Sequence, residues 1–181
     1  MTDFAELHDE LRAVAADVLA ARVGEPVDSA VLAELGWTGL EVADELDGAG
    51  ASFREVAVVA EQLGRNVNGG GYFGSAVLGV GLLNQLTAGA VRDTLLTGIA
   101  AGTTTVTVAI SSEAEAHPGF VVAETADGPR ITGRAPLVLD AGSADTLLAP
   151  VRLPDGKGDR SQARPCRSAG CCGRPWREAR R

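Results

Sequence analysis

Gly102-Thr103-Thr104-Thr105-Val106-Thr107-Val108-Ala109-Ile110-Ser111-Ser112 is the stretch in which this chain changes period. Before it, apolar residues recur at three- and four-residue steps, the spacing of one helical face. Within it β-branched residues dominate and alternate, and after it short alternating runs are separated by turn residues. Helices first and strands second predict two segregated units, an α+β fold, and not an alternating parallel sheet. The chain has no internal repeat.

Working back from that stretch, the helical half punctuates itself. Phe4, Leu7, Leu11, Val14 and Val18 predict a first helix and its buried face, with Asp3 and Glu6 as a variant capping box and Gly24 and Pro26 as its end. Asp28 is placed to cap a short helix carrying Val31, Leu32 and Leu35, stopped by Gly36. Trp37 to Ala51, interrupted by Gly39, Gly48 and Gly50, reads as a connecting loop. Ser52 and Glu55 form a capping box for a third helix whose stripe is Phe53, Val56, Val59, Ala60 and Leu63, closed by Gly64. Residues 66–71 form a Gly-rich turn, and two further helices are expected over 75–87 and 90–101.

Working forward, at least five short antiparallel strands are expected. They are Thr103 to Ser112, Phe120 to Thr125 with Asp127-Gly128 as its turn, Arg130 to Gly133, Leu137 to Leu139, and Thr146 to Val151.

Three segments of the helical half carry a resemblance: Leu32-Ala33-Glu34-Leu35-Gly36-Trp37-Thr38-Gly39-Leu40-Glu41-Val42, Gly48-Ala49-Gly50-Ala51-Ser52-Phe53-Arg54-Glu55, and Val58-Val59-Ala60-Glu61-Gln62-Leu63-Gly64-Arg65. In this order they resemble the N-terminal helical domain of acyl-CoA dehydrogenases. Ile131-Thr132-Gly133-Arg134-Ala135-Pro136-Leu137-Val138-Leu139-Asp140-Ala141-Gly142-Ser143-Ala144-Asp145 resembles the middle β-domain of the same family. The likeness runs over residues 1–156 and is nearest to divergent, Ala/Val-rich members. It implies a helical domain over 1–101, part of an antiparallel, β-barrel-like middle domain over 102–156, and a separate tail over 157–181.

The resemblance also implies chemistry. Family members bind FAD and desaturate an acyl-CoA thioester: a glutamate removes the α-proton, and the β-hydride passes to the flavin. Flavin-contacting positions carried over onto this chain are Ile110 and Ser111, at the end of the first strand, and Leu137, Val138 and Leu139. Ser111 stands where a threonine hydroxyl of the family reaches the flavin ring; the competing reading is a strand-end serine facing solvent. Leu137 and Leu139 stand where the family has an aromatic residue and a Thr or Ser, so a hydrogen-bond donor toward the flavin is lost. No residue here matches the catalytic glutamate, which the family carries in a C-terminal helical domain. Glu34, Glu41, Glu55 and Glu61 read as helix-surface or capping carboxylates.

The expectation is a chain that ends before its catalytic domain and is inactive alone, from an acyl-CoA dehydrogenase of fatty-acid or sterol side-chain breakdown. The alternative is a non-catalytic partner subunit of a heteromeric acyl-CoA dehydrogenase. Acyl-CoA, FAD held weakly or not at all, and a homo- or hetero-oligomer are the ligands and partners that the resemblance implies.

Charge is distributed unevenly. Residues 157–181 hold eight basic and two acidic residues, so the tail carries +6 and residues 1–156 carry −14. A body that acidic repels nucleic acid and anionic membranes. The apolar stretch from Ala76 to Leu86 is too short to span a bilayer, and the acidic amphipathic start is unlike a secretory signal, so the expected location is the cytoplasm. All three cysteines, Cys166, Cys171 and Cys172, lie in the tail. Zinc wants four ligands at ordered spacing, which these do not provide, and a basic arm for nucleic acid would lack aromatic residues beyond Trp176. The tail's Arg, Ala, Gly, Pro, Cys and Trp are what an out-of-frame GC-rich gene encodes, and it is expected to be disordered and to bind no metal. His8 reads as a surface residue and His117 as a loop residue. Gly69-Gly70-Gly71-Tyr72-Phe73-Gly74 follows no strand, so a nucleotide-binding turn fails for want of its setting.

Overall fold

The computed structural model describes residues 4–22, 27–110, 120–126, 128–152 and 164–167. The chain divides into two compact units, residues 1–105 and 106–181. The α+β expectation holds: the first unit is helical and the second carries the strands.

In the first unit α1 (Phe4–Ala20) packs on α3 (Phe53–Arg65). The core gathers Ala15 and Leu19 from α1, Leu32 from α2 (Ser29–Glu34), and Val56, Val59 and Leu63 from α3, with Trp37, Tyr72 and Ala76. Each fully buried leucine of this kind contributes about 1.5–3 kcal/mol. The buried face of α1 differs from the expected stripe. Ala15 and Leu19 are buried and Leu11 and Val18 partly so, whereas Leu7 is 43% and Val14 54% exposed. The face turned to the core is centred on small Ala15, one step round the helix from the apolar stripe.

Local chemistry explains the helix ends. The Asp28 side chain accepts from Val31 N at 3.0 Å, and α2 stops at Gly36, whose φ of 74° suits a residue without a Cβ. Ser52 and Glu55 form the full capping box of α3, which runs one residue past Gly64 to Arg65. The segment between α2 and α3 is a tightly hydrogen-bonded loop with two short helical turns, Trp37–Gly39 and Asp44–Leu46. Ala51 N donates to Leu40 O at 2.7 Å and Gly50 N to Val42 O at 2.8 Å. Gly48 lies so close to Val42 that a Cβ there would overlap the Val42 carbonyl. The helix expected over 75–87 is two pieces: a π-helical stretch, Phe73–Gly79, and α4 (Val80–Asn84). Val80 N reaches back to Ser75 O, the five-residue step that defines such a bulge. α5 (Ala90–Ala100) completes the unit.

The described residues of the second unit form two three-stranded sheets. One runs β1 (Val106–Val108), β4 (Thr146–Ala149), β6 (Arg164–Arg167); the other runs β3 (Gly128–Gly133), β2 (Phe120–Thr125), β5 (Val151–Arg152). Only β2 with β3 and β4 with β6 are antiparallel; β1 pairs with β4, and β2 with β5, in parallel. A tight turn imposes antiparallel pairing only on strands it joins directly, as it does for β2 and β3; β1 and β4 are distant in sequence and free of that constraint. Among the described residues the sheets do not close into a barrel.

Three further differences concern individual segments. The first strand is confined to Val106–Val108 within the expected Thr103 to Ser112. Leu137 to Leu139 is not a strand but an irregular segment between a bend at Pro136 and a turn that starts at Leu139: Pro136 has no amide hydrogen for a ladder, and Asp140 adopts φ 55°. Thr146 to Val151 is split at Pro150, so that β4 and β5 enter different sheets.

Most of the expected disordered tail lies outside the described residues, but Arg164–Arg167 is a correction to it, an edge strand registered Arg164 to Ala149 and Arg167 to Thr146. The lack of aliphatic side chains larger than alanine in the tail does not prevent this, because a ladder is made by backbone groups, and an edge position tolerates Pro165. A small core joins the two sheets: Ala109, Val122, Ala149 and Val151 are buried, with Phe120, Ile131, Ala135, Val138 and Leu147 packed around them.

Candidate functional site

The five positions carried over for a flavin fall on the second unit. At the end of β1, Ala109 N still donates to Leu148 O at 2.8 Å, but Ile110 N turns back to Val108 O at 3.2 Å. Ile110 therefore leaves the sheet and stands 50% exposed. Ser111, and His117 beyond it, lie outside the described residues.

The 137–139 segment is fastened at its C-terminal end. Thr107, fully buried in β1, donates its hydroxyl to Leu139 O at 2.7 Å. After it, Ser143 N and Ala144 N donate to Asp140 O at 3.0 and 3.2 Å. Val138 packs inward on the small core, while Leu137 and Leu139 turn out, 79% and 56% exposed. Asp145 is exposed immediately before β4, the place of a residue opening a strand.

This arrangement offers an apolar surface backed by a fixed backbone. Leucine and isoleucine side chains can pack on a flat aromatic ring but donate no hydrogen bond to it. The residues present therefore fit the apolar contacts of an isoalloxazine and not its polar ones. The Leu139 carbonyl is already engaged by Thr107.

The carboxylates of the helical unit have structural places. Glu34 is exposed at the end of α2, and Glu61 pairs with Arg65 at 2.7 Å on the surface of α3. Glu55 is buried and fully partnered. Its Oε2 accepts from Ser52 N at 2.8 Å and Ser52 Oγ at 2.7 Å, and its Oε1 lies 2.5 Å from His8 Nε2. The Ser52 hydroxyl, then His8, hold its pKa down at about 2 against an ordinary 4.5. His8 is thus a packed residue with 15% of its side chain exposed, not the surface residue that its acidic neighbours suggested. No local pattern signals a partner 47 residues away.

Glu41 departs from the helix-surface place that its sequence context suggests. It is half-buried, its Oε2 has no hydrogen-bond partner among the described residues, and burial raises its pKa. Tyr72 is fully buried with its hydroxyl toward Val56 O at 3.4 Å; burial, then the Glu41 charge, raises its pKa. No group of three or more His, Cys, Asp or Glu that could hold a metal occurs among the described residues. No described helix is long and apolar enough to cross a membrane.

Comparison with known proteins puts names to this arrangement. The family model for the N-terminal domain of acyl-CoA dehydrogenase matches residues 2–103. No curated protein matches the sequence. Among solved structures, a variant of the Tcur3481-Tcur3483 steroid ACAD superposes with a TM-score of 0.70 at 24% identity, over 85% of this chain and 47% of that one. The ChsE4-ChsE5 complex from Mycobacterium tuberculosis gives 0.68 at 21%, over 82% and 44%. An acyl-CoA dehydrogenase complexed with FAD from Bacillus anthracis gives 0.69 at 18%, over 92% and 32%. The chain spans less than half the length of each of these structures.

Proposed function

Because this chain belongs to the acyl-CoA dehydrogenase family, we propose that it serves in the FAD-dependent α,β-desaturation of an acyl-CoA thioester of lipid or sterol side-chain breakdown, in an assembly with other acyl-CoA dehydrogenase subunits. Its helical domain, over 1–101, would support the acyl-CoA site. Its β-domain, over 102–156, would face the flavin with Ile110, Ser111, Leu137, Val138 and Leu139.

The observation that carries this reading is the Thr107–Leu139 hydrogen bond. It holds the 137–139 segment against β1, and Leu137, Leu139 and Ile110 stand exposed on the same unit. A bound flavin supplies the hydride acceptor; the chain's own side chains supply apolar packing that excludes water from one part of the ring. Because those side chains lack donors, the chain alone holds FAD weakly.

The test is an absorbance spectrum of the purified chain, alone and mixed with a flavin-competent acyl-CoA dehydrogenase subunit. Flavin bands that rise on complex formation, with dehydrogenation of an acyl-CoA by the complex, are the expected result. Stoichiometric flavin on the isolated chain would overturn the assignment of weak binding. Failure of any acyl-CoA dehydrogenase subunit to associate would overturn the assembly.

A second reading is favoured by Leu137 and Leu139 themselves. Two donor-less residues at ring-facing positions suit a partner subunit that performs no chemistry and stabilises a catalytic chain. The same mixture separates the two readings: if activity survives replacement of Leu137 and Leu139 by aspartate in this chain, the flavin is held elsewhere.

A further inference from the structure

The apolar stripe of α1 lies only partly in the core: Leu11 and Val18 are half-buried against it, and Leu7 and Val14 are exposed. Leu7, Leu11, Val14 and Val18 follow one another at steps of four, three and four residues, the seam of a coiled coil. The face that meets α3 is the neighbouring one, with His8, Ala15 and Leu19, and it leaves Leu7 and Val14 among the exposed large apolar residues of the chain. On the solvent side the seam is bordered by Glu10 and Asp17, both exposed. Neither is ion-paired among the described residues.

We propose that this seam is a docking surface for an amphipathic helix of a different polypeptide, one whose apolar stripe is flanked by lysine or arginine. The spacing selects a helix, because knobs at this period fit the holes of another helix and not a strand. The charge selects the partner. A second copy of this chain could offer only its own acidic flank, since its other flank, His8 and Ala15, is turned into the core; Glu10 and Asp17 would then face their counterparts. Like charges across such a seam oppose pairing, and basic flanks favour it. The inference is independent of the flavin reading.

The experiment uses the full chain and three fluorescent peptides of about three heptads: a leucine seam flanked by lysine, the same seam flanked by glutamate, and a scrambled lysine peptide without a seam. Fluorescence anisotropy should show binding of the first at least about tenfold tighter than of the other two. The Leu7→Asp, Val14→Asp double variant should lose it, with an unchanged thermal melt because both positions are exposed. The Glu10→Lys, Asp17→Lys variant, which leaves the seam intact, should exchange the preference to the glutamate-flanked peptide. Equal binding of the lysine seam and scrambled peptides would reduce the effect to net charge and overturn the proposal, as would no binding. A concentration-dependent dimer in sedimentation, abolished by Leu7→Asp, Val14→Asp, would assign the seam to a second copy and overturn it equally.

Discussion

His8 Nε2 and Glu55 Oε1 stand 2.5 Å apart, joining α1 to the first turn of α3 across 47 residues of sequence. The other Glu55 oxygen is bound by the Ser52 amide and hydroxyl, so one carboxylate caps α3 and ties down α1 at once. Removing it by Glu55→Ala should cost about 1–3 kcal/mol, from the cap and the charged hydrogen bond together. A thermal or urea melt of the chain measures it, and a His8→Ala, Glu55→Ala cycle should return a coupling of about 1–2 kcal/mol. Additivity of the two substitutions would deny the link.

The same carboxylate sets an acid limit. Its folded pKa, about 2, lies below the ordinary 4.5, so folding holds it deprotonated. The stabilisation is complete above the unfolded value and is lost as pH falls from about 4.5 toward 2. Glu55→Gln should flatten stability against pH in that window. Parallel wild-type and Glu55→Gln curves between pH 5 and about 2 would show that the carboxylate contributes nothing there.

Two glycines should respond to alanine with opposite signs. At Gly48 the new Cβ would collide with backbone of Val42, which cannot swing aside, and overpacking of this kind costs about 1–3 kcal/mol. At Gly64, inside α3, nothing lies within 4 Å of the position, and alanine should add about 0.5–1 kcal/mol through helix propensity. Paired thermal midpoints of Gly48→Ala and Gly64→Ala check both signs.

Thr107→Val keeps the shape of a fully buried side chain and removes its hydroxyl from the Leu139 carbonyl. The second unit should lose about 1–2 kcal/mol, and amides near residues 137–139 should exchange faster with solvent. Unchanged exchange there would mean that the segment is held by Val138 packing alone.

Leu139→Thr restores a hydroxyl at a position proposed to face the flavin. If that placement holds, added FAD should bind the variant more tightly than wild type, by about three- to tenfold for one recovered hydrogen bond. Quenching of flavin fluorescence on titration measures it, and equal affinities would remove Leu139 from the proposed contact.

The parts legible in the sequence were those governed by neighbours in the chain. Asp28 and the Ser52–Glu55 box act over three residues and are found where their residues place them; the β2–β3 hairpin forms as expected, but its second strand begins at Gly128, inside the expected turn. What escaped was decided at a distance. The stripe of α1 is apolar enough for a core, but small Ala15 and the His8–Glu55 bond turn the helix by one step. Leu137 to Leu139 has strand-forming composition, yet Pro136 and left-handed Asp140 make it an irregular segment. The π-helical step at Ser75 and Val80 leaves no composition mark distinct from an ordinary helix. Of the five positions that the family resemblance assigns to a flavin, the structure describes four, all on the second unit.

The sheet connectivity has a consequence for the order in which the chain acquires structure. Val106 must await Thr146 for its ladder partner and Phe120 must await Val151, whereas the bonds that shape α2 and α3 are local. Loop closure over long separations slows folding. On a ribosome the helical unit can therefore be complete while the strands that follow are still unpaired, and for that interval the hairpin of β2 and β3 is, among the described strands, the one pair that can already form.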